Sequence, residues 1–239
     1  MHSPYGLEII ESCVGCKLRA NDFFCNLPAD LLKEFESLKY ATVFPKGAML
    51  FVEGQSSRGV FMLCAGRVKL TTCSGDGKSL ITQIAEPGEV LGLSATISGR
   101  PYEVTAETLA PCQVNFIRRE DFVRFLTAHG TACFRVAEHL SHNYHHTHEQ
   151  VRSLGLSHSA AEKMAKLILE WCARNGKHSE RGIQLKLTLT HEEIAQIIGS
   201  SRETVTRLLG DFKSRQFIYI KGSTLIVRDK GALETMVSS

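Results

Sequence analysis

Thr190-His191-Glu192-Glu193-Ile194-Ala195-Gln196-Ile197-Ile198-Gly199-Ser200-Ser201-Arg202-Glu203-Thr204-Val205-Thr206-Arg207 contains two helix beginnings and one helix end. Thr190 and Glu193 stand at the spacing of a reciprocal capping box, so a helix opens there with Ile194, Ala195, Ile197 and Ile198 turned inward. Gly199 stops it, because glycine accepts the left-handed backbone that ends helices. Ser200 and Ser201 can cap a second helix from Arg202 to about Ser214, with Val205, Leu208, Leu209 and Phe212 on its inner face. Two short helices joined by a glycine-containing turn form the unit that lays its second helix in the DNA major groove. Arg202, Glu203, Thr206 and Arg207 remain outside, with Ser201 at the helix start. Arginine donates two hydrogen bonds to guanine, glutamate accepts from cytosine, and threonine bonds a base or touches a thymine methyl. The plainer alternative makes Glu203 and Arg207 a surface ion pair at i, i+4.

Outward from this stretch the elements agree with it. Phe217 to Ile220, the turn Lys221-Gly222-Ser223 and Thr224 to Val227 form a hairpin, which makes the motif winged. Upstream, Ser159 and Glu162 repeat the capping spacing before the apolar face Met164, Leu167, Ile168 and Trp171, and Asn175-Gly176 ends that helix. Gln184 to Leu189 alternates as a short strand. Residues 157 to 239 carry 13 Lys and Arg against 9 Asp and Glu, a balance of +4, whereas residues 1 to 156 carry 15 against 16. The basic excess lies where a polyanion would bind.

Between about Tyr40 and Ile117 short apolar runs are punctuated by glycine: Met49 to Val52, Val60 to Leu63, Val68 to Thr72, Leu80 to Ile84, Val104 to Thr108 and Gln113 to Ile117. Such strands close most economically as a small barrel or roll. After Arg118 the pattern turns helical, first Glu120 to His129, then a long segment from Gly130 to about Leu156. Along it Cys133, Ala137, Leu140, Tyr144, Thr147, Val151 and Leu154 repeat at alternating spacings of four and three, a heptad seam. Leu140, Tyr144 and Val151 are the expected subunit-pairing residues; packing on the chain's own barrel is the alternative. His139, His142, His145, His146 and His148 crowd this segment but spread around it, so they read as a solvated or dimer-contact surface rather than a metal site. The expected organisation is a leader over 1–28, a β-roll over 29–129, a dimerisation helix over 130–156 and a winged helix-turn-helix over 157–239, an α+β fold.

At 43% hydrophobic and 22% charged residues the chain can bury a real core. No apolar run approaches membrane-spanning length and no secretion signal is apparent, so a cytoplasmic protein with no membrane partner is expected. In that reducing compartment the eight cysteines read as thiols, metal ligands or core residues. Cys13, Cys16 and Cys25 gather in the leader, and soft thiolates so gathered suit zinc or an iron-sulfur cluster. Cys64, Cys73, Cys133 and Cys172 fall inside strand or helix patterns and read as core thiols. Cys13-Val14-Gly15-Cys16 could also be a thiol oxidoreductase motif, but such a motif opens a helix beside a βαβ unit, which is lacking here. No other enzyme signature is present, and the chain is read as a non-enzyme.

The stretch from Ile194 to Arg207 resembles the recognition motif of the cyclic-AMP receptor protein and fumarate-nitrate reduction regulator (CRP/FNR) superfamily. The resemblance extends over nearly the whole chain: a cyclic-nucleotide-binding-like β-roll, a long helix, then the winged domain. It implies a homodimeric transcription regulator on palindromic DNA, with Arg202, Glu203 and Arg207 at the base-reading positions and RNA polymerase as a further partner if the protein activates. Arg202 matches the cyclic-AMP branch and favours TGTGA-like half-sites over TTGAT. In that branch the nucleotide phosphate sits on a Gly-Glu-Leu turn and an arginine-serine pair. Here Gly92-Leu93-Ser94 and Tyr102-Glu103 stand in those places, with Arg100 a loose substitute, so cyclic AMP is not the expected effector. The cysteines resemble the oxygen-sensing branch, in which three leader cysteines and one barrel cysteine, here Cys112, hold a [4Fe-4S] cluster. The gap between Cys16 and Cys25 is longer than in that branch's prototype. The resemblance implies that the cluster ties leader to barrel and favours pairing of the long helices, and that oxygen reverses this. A thiol/disulfide switch, zinc, or a small effector in the β-roll are the alternatives.

Overall fold

Strand parity organises the first half of the protein. The computed structural model describes residues 5–20, 24–157 and 159–238. The chain forms two compact units, residues 1–147 and 148–239.

Ahead of the strands lies α1 (Ala29–Leu38), absent from the expected organisation although Leu31, Leu32, Phe35 and Leu38 recur at helical spacing. Eight strands follow: β1 (Tyr40–Phe44), β2 (Met49–Phe51), β3 (Gly59–Ala65), β4 (Val68–Cys73), β5 (Ser79–Ala85), β6 (Val90–Leu91), β7 (Thr105–Thr108) and β8 (Cys112–Arg118), with α2 (Leu93–Ser98) between β6 and β7. They form two four-stranded antiparallel sheets, β1-β8-β3-β6 and β2-β7-β4-β5, the expected β-roll. β6, with two residues, is too short for any periodicity to announce it.

Side chains alternate between the two faces of a strand, and the central pair β3 and β8 uses both faces. Phe61, Leu63, Cys112 and Val114 join the core between the sheets, with Phe51, Val68, Tyr102 and Ala106. Val60, Met62, Cys64 and Ile117 point the other way, into a second core built with α1, α3 (Arg119–Ala128) and the start of α4 (Gly130–Leu156). Phe24, Phe35, Phe122 and Phe125 fill that second core. Each fully buried phenylalanine stabilises by about 1.5–3 kcal/mol, and Phe24, 5.1 Å from Phe35 and 5.9 Å from Phe122 between ring centres, pins the leader there.

Helix α4 has two functions on two faces. Ala132, Val136 and His139 are buried, while Cys133, Ala137, Tyr144, Thr147 and Val151 of the heptad seam are exposed and Leu140 and Leu154 are half-buried. At 100° per residue the two stripes are centred roughly 90° apart. Leu140 packs on the chain's own core, whereas Tyr144 and Val151 stand 68% and 63% exposed. His139 departs from expectation: it is buried, not solvated. Its imidazole is pushed down to about 4, chiefly by burial and also by His142, against a hydrogen bond to the backbone of Val90. Cys73 and Cys133 are likewise exposed rather than core thiols.

The second unit contains α5 (Ala160–Asn175), β9 (Lys177–Ser179), β10 (Gly182–Lys186), α6 (His191–Ile198), α7 (Arg202–Ser214), β11 (Ile218–Lys221), β12 (Thr224–Val227) and α8 (Lys230–Ser238). The strand expected over Gln184 to Leu189 begins earlier and ends at Lys186, and the wing is a four-stranded sheet, β11-β12-β10-β9. Among the described residues no helix is long and apolar enough to cross a membrane.

Candidate nucleic-acid interface and leader thiol site

The capping box at α6 is complete: Glu193 N donates to Thr190 Oγ1 at 3.2 Å, and Thr190 N donates back to Glu193 Oε2 at 2.8 Å. Gly199 ends the helix at φ 62°, in the left-handed region where a side chain is strained. Ser201 then caps α7, accepting from Thr204 N at 3.2 Å. Val205, Leu208, Leu209 and Phe212 are buried, which fixes the rotation of α7 and leaves Ser201, Arg202, Glu203, Thr206 and Arg207 exposed on its first two turns. The Glu203 carboxyl is held below its ordinary value, first by its own backbone N–H and then by the Ser201 hydroxyl. Thr206 is less free than its sequence position suggests. Its hydroxyl donates to Arg202 O at 3.0 Å and lies 2.8 Å from His191 Nδ1, so with that donor role filled the imidazole supplies the proton of the second bond.

In the leader, Gln113 grips the backbone of Ile10 from both ends: Ile10 N donates to Gln113 Oε1 and Gln113 Nε2 donates to Ile10 O, each at 2.7 Å. Lys39 Nζ contacts Glu11 O at 2.9 Å, Glu36 at 3.2 Å and Cys13 Sγ at 3.5 Å. Leu18 N donates to Cys16 Sγ at 3.4 Å, and Cys25 Sγ meets Met62 Sδ at 3.4 Å. Burial is the largest cause pushing the Cys25 thiol up to about 12, followed by Cys13 and Cys16. Cys25 thus lies within electrostatic reach of Cys13 and Cys16.

Cys112 is not brought to them. It is fully buried between the sheets, and its thiol lies 3.1 Å from Ala110 O and 3.3 Å from Arg67 O. The thiol that does adjoin the leader is Cys64, also pushed up to about 12 by burial first and then by Cys25, Cys13 and Cys16. Among the described residues no group of three or more His, Cys, Asp or Glu side chains stands ready to hold a single metal ion.

Ser94 Oγ donates to Glu103 Oε1 at 2.8 Å, an exposed contact between the two segments that the resemblance sets at a nucleotide phosphate. Tyr102 is buried, stacked on Phe51 at 4.1 Å between centres, with its hydroxyl donating to Gly59 O at 2.7 Å. Nearby lies a mostly aromatic cavity of about 300 Å³ whose lining includes Tyr40, Phe44, Phe51, Phe61, Phe116 and Arg58.

Residues 41–129 match the cyclic nucleotide-binding domain and residues 162–236 match the Crp-like helix-turn-helix domain. The chain belongs to the CRP/FNR family of transcription regulators. It is 25% identical over 190 residues to the CRP-like cAMP-activated global transcriptional regulator of Mycobacterium tuberculosis, covering 80% of this chain and 84% of that one. It is 23% identical over 205 residues to the anaerobic regulatory protein of Bacillus subtilis, covering 85% and 86%. In fold it is similar to FixK2 from Bradyrhizobium japonicum, with a TM-score of 0.73 at 19% identity over 84% of this chain and 98% of that one. The CRP/FNR proteins are regulators, not enzymes, and this one binds DNA through α6 and α7.

Within this CRP/FNR chain the sequence passed over Cys64, His191 and the Ser94–Glu103 pair. Strand parity, which sets Val60, Met62 and Cys64 on one face, could have found the first. The other two are contacts between segments that no local pattern records.

Proposed function

We propose that the protein is a homodimeric regulator that reads a palindrome with TGTGA-like half-sites, and whose DNA binding follows the state of its leader thiols rather than a cyclic nucleotide. The observation that carries this reading is the leader itself: three cysteines pinned by Gln113, Lys39 and Phe24 onto the outer face of the β-roll, beside the core that also packs α4. Cys13 and Cys25 pack on one core with Cys16 within electrostatic reach, and they are soft donors of the kind an iron-sulfur group takes. The Leu18 N–H and the Lys39 ammonium are placed to stabilise thiolate charge at Cys16 and Cys13. A bound [4Fe-4S] cluster supplies oxygen-labile chemistry at this point.

The chain's own residues do the rest. The phenylalanine core beneath the leader contacts Ala132 and Val136 of α4, so the order of the leader bears on where α4 lies. Tyr144 and Val151, with half-buried Leu140, then offer an apolar seam for a second copy. Pairing sets two α7 helices about one DNA turn, roughly 34 Å, apart. Against cyclic AMP, a phosphate would meet the Glu103 carboxylate where the fold needs a cation. The aromatic cavity beside Tyr102 supports the alternative of a small effector.

The test is iron and sulfide content of protein purified without oxygen, with binding to a palindromic TGTGA duplex before and after air. Bound iron and sulfide with affinity lost in air support the reading. Protein that holds neither and binds equally in air refutes it.

A further inference from the structure

We infer that the fourth sulfur of the leader site is Cys64, so that Cys13, Cys16, Cys25 and Cys64 form one donor set from which Cys112 is excluded. The inference rests on the reading of the leader as a thiol site and names its membership.

Backbone register decides it. In β8 the odd residues Gln113 and Ile117 face the leader and α3, as the Gln113 bonds to Ile10 and the burial of Ile117 in the phenylalanine core show. Cys112, one residue away, must face the opposite side, and it does, among Leu63, Val68 and Val114. Moving its thiol to the leader would need a one-residue slip of β8, which would invert every side chain on a strand buried on both faces. The turn between β3 and β4 packs closely on it, since a side chain at Gly66 would start 2.5 Å from Cys112 Sγ.

Cys64 faces the other way by the same alternation, with Val60 and Met62. The β3–β8 ladder runs Met62↔Asn115 and Leu63↔Val114, then jumps to Ala65↔Gln113, so Cys64 is also the extra residue of a bulge. Bulges recur next to functional sites. Met62, two residues before Cys64 on the same face, is the residue whose sulfur touches Cys25. A second observation marks the same face. Asn115, opposite Met62 and 1% exposed, has a side-chain oxygen with no hydrogen-bond partner among the described residues. A buried polar atom without a partner costs about 1–3 kcal/mol. An amide is readily assigned end for end, and its NH2 group is a natural donor to sulfur, as backbone donors are at cluster sites.

The test uses full-length protein, parent and variants Cys64→Ala, Cys64→Ser and Cys112→Ser, with circular dichroism melts to verify folding. Cys64→Ala keeps the site apolar should the serine variant fail to fold. In the first arm each is reconstituted without oxygen with ferrous iron and sulfide, and retained iron and sulfide are counted. The expected result is parent-like loading in Cys112→Ser and, in both Cys64 variants, a loss of at least the roughly 10-fold in affinity that even an outer-shell change costs. Retained loading in Cys64→Ala, or loss confined to Cys112→Ser, overturns the inference while leaving the iron reading intact. In the second arm cadmium alone is titrated and thiolates are counted from the sulfur-to-cadmium absorbance. One thiolate fewer in Cys64→Ala, and none fewer in Cys112→Ser, upholds the donor set even if the parent takes up no iron and sulfide, a result that sinks only the iron reading. Equal counts in parent and Cys64→Ala, or no cadmium bound through thiolate in any of them, overturns it.

Discussion

Lowering the pH from 7 to 5 should destabilise the first unit through His139 in particular. The imidazole is buried on the face of α4 that packs against the β-roll, and its folded value lies near 4 against 6.5 for the ordinary group. A depressed folded value means that the neutral form is what the fold accommodates. Its contribution is complete above 6.5 and is lost as the pH falls from 6.5 toward 4, because over that window the unfolded chain binds a proton that the folded chain does not. At 1.36 kcal/mol per pH unit the whole gap caps the effect near 3 kcal/mol. Weighting by the protonated fractions at pH 5 and pH 7 leaves about 2 kcal/mol between them. Carboxylates elsewhere also titrate, so the comparison is with His139→Gln, which cannot take the proton. Urea unfolding read by pulsed amide exchange, peptide by peptide, scores the first unit separately. Fluorescence would not, because the single tryptophan, Trp171, lies in α5. The parent should lose about 2 kcal/mol more than the variant between the two pH values. Equal losses would refute the placement of His139 as a buried neutral group.

Arg202→Ala and Arg207→Ala should each weaken a cognate palindrome by about 1–3 kcal/mol per half-site and flatten preference at one base pair. A uniform loss on all sequences, with a shallower salt dependence, would make them phosphate contacts instead. Gln113→Leu removes two 2.7 Å bonds to Ile10, about 1–3 kcal/mol of leader docking. Amide exchange at Ile10 should rise by one to two orders of magnitude, and an unchanged rate would show that the leader is held elsewhere. Val151→Glu, at an exposed position, should leave each chain folded yet move sedimentation toward monomer. An unaltered dimer would exclude this seam. Glu103→Ser removes the carboxylate facing Ser94. Calorimetry with cyclic AMP should stay silent for the parent, and binding by the parent would overturn the reading of that turn.

How far the sequence was readable depended on whether the information was local. The recognition helix was legible to the residue, because the caps at Thr190 and Ser201, the stop at Gly199 and the inward spacing of Val205, Leu208 and Phe212 all act within one turn of themselves. Ser201, Arg202, Glu203, Thr206 and Arg207 stand outside as that spacing requires. What spacing could not show is that the Thr206 hydroxyl is shared with Arg202 and His191, which leaves its methyl as the simpler reader. Glycine-marked strands gave the β-roll, whereas α1 was overlooked although Leu31, Leu32, Phe35 and Leu38 recur at helical spacing, and β6 was too brief to carry a period.

The thiol site shows the deeper limit. Family likeness alone makes Cys112 the partner of the leader. A strand, however, sorts its residues by parity, and Cys112 and Gln113 go to opposite faces whatever their nearness in sequence. Cys64 was hidden for the complementary reason. Within β3 it reads as one more apolar residue; parity sets it on the face of Val60 and Met62, and only the return of the leader across that face gives it neighbours of its own kind. A ligand set is a property of a face, and a face is fixed by register; the residue to alter first in this protein is therefore Cys64.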